Sequence, residues 1–138
     1  KRQGMVQPHL PQLETPIVLA QRPEQRRTLP EYQQFHIELD REKGFITDLY
    51  FNYLCLSEEM GELGSELAQL WREETQFRLQ GRSVEHARQD AITKQKSALE
   101  SEMADCMAYL LKLANYSGID LEAAYREKMT TNRSRNWR

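Results

Sequence analysis

Three glutamates, Glu58, Glu59 and Glu62, crowd the stretch LSEEMGELGSEL at Leu56–Leu67, and a second acidic pair, Glu102 and Asp105, follows further along the chain. Residues three or four apart share a helix face, so E-x-x-E and E-x-x-D each aim two carboxylates to one side. If those sides meet, four acids converge. They cannot all stay ionised without counter-charge, because like charges at close range raise one another's pKa values. Oxygen-only ligands in that number suit a hard divalent cation, Mg²⁺ or Mn²⁺. The plainer alternative is a solvated acidic face, which E-x-x-E taken alone usually is. A di-iron carboxylate site needs Glu-x-x-His pairs. His9, His36 and His86 have no glutamate three residues before them, so iron is disfavoured.

Two seams must position these acids. Leu49, Tyr53, Leu56, Met60, Leu63, Leu67 and Leu70 alternate four and three apart, as do Leu99, Met103, Cys106, Leu110 and Leu113. That spacing packs one helix against another in left-handed fashion. At about 100° per residue, Glu59 and Glu62 fall near −60° and −120° from Leu56, and Glu102 and Asp105 fall at the same angles from Leu99. Equivalent flanks of an antiparallel pair lie on the same side of the contact. The spacing therefore predicts convergence of all four acids if the helices are antiparallel.

A third pattern is basic. Lys128, Asn132 and Arg135 are spaced i, i+4, i+7, with Arg133 and Arg138 close by. Such a stripe either complements a helix C-terminus or grips phosphate, the arginine in a two-pronged way. Beside a metal site the second reading gains weight, because Mg²⁺ and cationic side chains together clamp phosphates.

The surrounding chain reads as one all-α domain behind an arm. Its 138 residues suffice for one core, and the net charge of −2 argues against bulk capture of nucleic acid or anionic membrane. No apolar run approaches the roughly 20 residues of a membrane span, and the opening residues do not have a signal-peptide pattern. Cys55 and Cys106 sit among apolar neighbours and read as buried free thiols of a reducing cytoplasm. All five prolines precede residue 31, so residues 1–30 read as an extended or partly disordered arm. Met5 is a candidate start, which would set Lys1–Gly4 apart. Thr28-Leu-Pro-Glu31 is a capping box, and Tyr32, Phe35, His36 and Leu39 follow at amphipathic spacing to Gly44. A second helix is expected from Thr47 or Asp48 to Gln80-Gly81, a third from Ser83 to Tyr116, and a fourth from Asp120 through Arg135. Nothing alternates with period two for long enough to be a strand. The expectation is a four-to-five-helix up-down bundle over residues 31–138.

Taken in order, Glu58-Glu59-x-x-Glu62, Glu102-x-x-Asp105, "GID" and Lys128-x-x-x-Asn132 make the chain resemble the MazG-like all-α nucleoside triphosphate pyrophosphohydrolases. The resemblance covers roughly residues 31 to 138. It implies cleavage of an NTP or dNTP between α and β phosphates, giving monophosphate and pyrophosphate. By this match Glu59, Glu62, Glu102 and Asp105 would hold Mg²⁺, Glu58 would orient or deprotonate water, and Lys128, Asn132 and Arg135 would bind phosphate. Tyr109 would either contact the nucleoside or serve as a plain core aromatic. Members usually assemble as dimers or dimers of dimers. The polar link from Arg72 to Lys96 and the arm depart from the family pattern. Within the resemblance, dCTP- or dUTP-type and phosphoribosyl-ATP pyrophosphohydrolases are the nearest alternatives. Outside it stands a non-catalytic helical oligomer whose acidic patch docks a basic partner.

Overall fold

The computed structural model describes residues 26–136. Most of the proline-rich arm lies outside the described residues, and Leu29 and Pro30, assigned to it from the sequence, already open the first helix. Four helices and no strand occur among the described residues: α1 (Leu29–Lys43), α2 (Leu49–Leu79), α3 (Val84–Tyr116) and α4 (Leu121–Arg133). None of them is long and apolar enough to cross a membrane.

The helix ends follow local chemistry. Thr28 Oγ1 accepts the Glu31 N–H at 3.4 Å, Asp48 Oδ1 accepts that of Phe51 at 2.7 Å, and Asp120 Oδ1 accepts that of Ala123 at 3.0 Å. Ser83 Oγ does the same for His86 at 3.3 Å. Each satisfies an N–H that its helix leaves without a partner. Gly44 and Gly118 close α1 and α3 with φ of 65° and 70°, a left-handed turn that glycine adopts without a Cβ clash.

The chain forms two compact units. The first comprises the described residues up to Tyr53 together with those from Leu110 onward. Beside Leu111 and Ala114 its interior is largely polar, which the amphipathic pattern of α1 did not announce. Tyr32, Phe35, His36 and Leu39 are only half-buried, whereas Gln33 and Asp40 are buried. The reason is hydrogen-bond supply. Gln33 Nε2 donates to Asn115 Oδ1 at 3.0 Å and to the Ile119 carbonyl at 2.9 Å, and Gln33 Oε1 accepts the Leu121 N–H at 3.1 Å. Asn115 Nδ2 returns a bond to the Gln33 carbonyl at 2.9 Å. Lys112 Nζ lies 3.1 Å from Asp40 Oδ1, and the Tyr116 hydroxyl donates to Asp40 Oδ2. Buried polar groups so matched offset their own desolvation.

The second unit, Leu54–Tyr109, is the facing part of α2 and α3. Tyr109 meets Cys55, Glu102 meets Glu62, and Arg88 pairs with Glu74 at 3.2 Å. As one number rises its partner's falls, so the two helices are antiparallel here, as the acidic convergence requires. Ala87 and Ala91 are the fully buried apolar residues of this unit. The seam turns inward by half only. Leu56, Leu63, Leu70, Leu99 and Cys106 are half-buried, while Met60, Leu67 and Met103 remain 54%, 46% and 52% exposed. The polar link is helix on both sides of the turn at residues 80–83: Lys94 Nζ pairs with Glu73 at 2.7 Å and Arg82 with Asp90 at 2.7 Å. Both cysteines are free and half-buried.

Candidate metal centre

Helix spacing brings Glu59 and Glu62 to the flank of α2 that meets α3, and Glu102 reaches them from α3. One carboxylate oxygen from each of Glu59, Glu62 and Glu102 lies within 4.8 Å of the other two. Glu59 and Glu102 are half-buried and Glu62 is exposed. Glu102 Oε2 is buried and accepts no hydrogen bond. A carboxylate oxygen removed from water without a donor is costly, and it is the atom a cation would satisfy.

Asp105, the fourth acid expected from the sequence, is not one of the three that come within this distance. It stands close enough for its charge to act on the group. Burial holds the Glu59 carboxyl above its usual range, and the negative charges of Asp105, Glu62, Glu102 and then Glu58 push it further. Burial also raises Glu102, followed by Glu62 and Asp105. These are the signs expected of acids forced together without counter-charge. Glu66 contributes as well, acting on Glu102 from one turn beyond Glu62. The sequence reading passed over Glu66, although its i+4 and i+7 spacing from Glu62 and Glu59 was the signal that places it on the same flank.

Two neighbours define the chemistry by what they withhold. Burial raises the Cys106 thiol, and the charges of Glu59, Glu102 and Asp105 raise it again, so the sulfur stays protonated at neutral pH. The donor set is thus oxygen alone, which fits a hard divalent cation rather than a thiolate-loving one. Tyr109 is half-buried and hydrogen-bonded to Cys55, and burial followed by Cys55, Glu59 and Asp105 lifts its phenol. It therefore lines the acidic flank as a neutral hydroxyl. Glu58 is exposed at the edge of the group.

The basic stripe belongs to the first unit and the carboxylates to the second. Lys128 is exposed and Asn132 half-buried, four apart on α4, as expected. Arg135 departs from expectation. The helix ends at Arg133, where Ser134 Oγ donates to the Thr131 carbonyl at 2.7 Å, so Arg135 lies beyond the helical face. A serine that satisfies a terminal carbonyl competes with continued helix. Arg138 lies outside the described residues. Set against protein-family models, curated proteins and solved structures, the chain matches none.

Proposed function

We propose that the chain is a Mg²⁺-dependent nucleoside triphosphate pyrophosphohydrolase of the MazG-like type, acting in the cytoplasm on an NTP or dNTP. The observation that carries the reading is the group Glu59, Glu62 and Glu102, with oxygens within 4.8 Å and one buried carboxylate oxygen lacking any donor. Glu59, Glu62 and Glu102 would hold the cation, with Asp105 completing the set, and Mn²⁺ would substitute. When bound, such a cation supplies positive charge against the phosphates and acidifies water.

The residues of the chain divide the remaining work. Glu58, exposed beside the group, accepts the proton of the attacking water. Water oxygen bonds to phosphorus, the bridging bond between α and β phosphates breaks, and pyrophosphate leaves with the electron pair. Lys128, Asn132 and Arg135 would bind phosphate oxygens, the role the resemblance gives them. Tyr109 contributes a neutral hydroxyl and a ring face toward the nucleoside.

The assembly is a homo-oligomer in this reading. Met60, Leu67 and Trp71 of α2, with Met103 and Met107 of α3, expose apolar surface on the flanks opposite the acids. Equivalent flanks of an antiparallel pair make that face self-complementary, and a second copy covers it. The test of the activity is a panel of NTPs and dNTPs with Mg²⁺ and with EDTA, following pyrophosphate and monophosphate together. One nucleotide yielding both in equal amounts, with Mg²⁺ alone, is the expected result. Absence of pyrophosphate from every nucleotide leaves the acidic docking surface as the account of the group.

A further inference from the structure

We infer that the turn joining α2 to α3 carries a second anion site, separate from the carboxylate group, that takes a phosphomonoester with an apolar body. A cavity of about 570 Å³ opens there, lined by Thr75, Arg78, Leu79, Arg82, Ser83 and Val84. Two arginines line it and no acid does, while the Thr75 and Ser83 hydroxyls are engaged with the Trp71 carbonyl and with His86. Arg78 makes no ion pair among the described residues. Arg82 is held in place from two sides, by Asp90 at 2.7 Å and by the Phe77 ring, whose centroid lies 5.9 Å from its guanidinium carbon. An oriented guanidinium beside a free one matches the oxygens of a phosphate, which arginine binds through paired N–H donors.

The helix ends do not decide the matter, since the C-terminus of α2 and the N-terminus of α3 carry opposite partial charges and largely offset. The arginines supply the attraction. Leu79 and Val84, 76% and 52% exposed, give the mouth two apolar walls. Bare phosphate would leave both in water, whereas an aromatic or acyl body would cover them. Arg78 is sixteen residues along α2 from Glu62, about 24 Å at helical rise. A ligand here does not touch the carboxylates, and the inference stands whether or not the chain hydrolyses nucleotides.

The probes are phenyl phosphate and inorganic phosphate, titrated into the full chain in EDTA and low salt, where the acidic group repels anions. Phenyl phosphate is expected to saturate and to bind more tightly than inorganic phosphate. Arg78→Ala should weaken it tenfold or more with unchanged melting, and Arg78→Lys should restore part of the loss. Arg82→Gln should weaken it as well; because that change also breaks the pair with Asp90, Arg78→Ala is the deciding variant. Failure of both probes to saturate, or unchanged affinity in Arg78→Ala, overturns the site. Loss of binding in Lys128→Ala instead would assign the phosphate to α4 and equally overturn it. Equal affinity for the two probes would overturn the apolar part of the ligand.

Discussion

Two regions of this molecule bury polar groups, and they do so on opposite terms. Around Gln33 every amide atom finds a partner, and Asp40 is met by both Lys112 and Tyr116. Around Glu102 the neighbours are other acids, and one oxygen has no donor. The first arrangement brings its own counter-charge: Asp40 Oδ1 makes no hydrogen bond but has the Lys112 ammonium 3.1 Å away. The second sets acid against acid, a crowding that a proton shared between Glu62 and Glu102 or a bound cation relieves. The difference is between a buried carboxylate that carries its own counter-charge and a group of carboxylates that does not.

The sharpest way to break this comparison is to neutralise the cluster. Glu62→Gln or Asp105→Asn should remove pyrophosphate release and the metal-dependent rise in melting together. Glu58→Gln should keep metal affinity while the rate falls on the order of 10²–10⁴-fold, the usual loss of a general base. Equal loss of metal affinity in all three would make Glu58 a ligand and dissolve the distinction between them. Lys128→Ala should lower kcat/KM about ten- to a hundred-fold with unchanged melting, as for a lost charge-assisted hydrogen bond.

The opposite pattern is expected in the satisfied region. Gln33→Ala strands Asn115 Oδ1, the Ile119 carbonyl and the Leu121 N–H, at about 1–3 kcal/mol per buried group. Chemical denaturation should show a loss of about 3 kcal/mol or more, while the surviving folded protein binds Mn²⁺ as the parent does. A Gln33→Ala variant of parental stability would remove the structural role assigned to that network.

The smallest effect is in pH. Glu59 and Glu102 have raised folded values, so the stability of their protonated forms is fully present below about pH 4.5 and is lost as pH rises through those values. Glu102→Gln should therefore raise the melting temperature of the metal-free protein most near neutrality and least near about pH 4.5. His36 has the opposite sign. Burial lowers it, Asp40 raises it and Lys112 lowers it, so its stability is present above about pH 6.5 and is lost as pH falls through the depressed value. His36→Gln should flatten that acid limb alone. Melting curves in EDTA from acid to neutral pH separate the two, and an offset independent of pH would contradict both assignments.

Much of this was legible in the residues. Thr28, Asp48, Ser83 and Asp120 mark helix starts through short-range chemistry, and the glycines at 44 and 118 mark stops. Helical periodicity put the two acidic pairs on equivalent flanks, which meet if the helices run antiparallel. What escaped was set by partners distant in sequence. Nothing near Gln33 in the sequence shows that Asn115, 82 residues on, will meet it. The seams gave the packing direction but not its share: Met60, Leu67 and Met103 fit a heptad as well as Leu56 and Leu63 do, yet only one set turns inward. Arg135 fitted a helical stripe that Ser134 ends early.

The central claim is that three carboxylates are held together for a divalent cation, and Mn²⁺ titration followed by electron paramagnetic resonance tests it directly. The parent chain should bind Mn²⁺ at a saturable site from which Mg²⁺ displaces it, and Glu102→Gln should weaken that binding at least tenfold while remaining folded. Equal Mn²⁺ affinity in parent and variant, or no saturable binding in the parent, would contradict it.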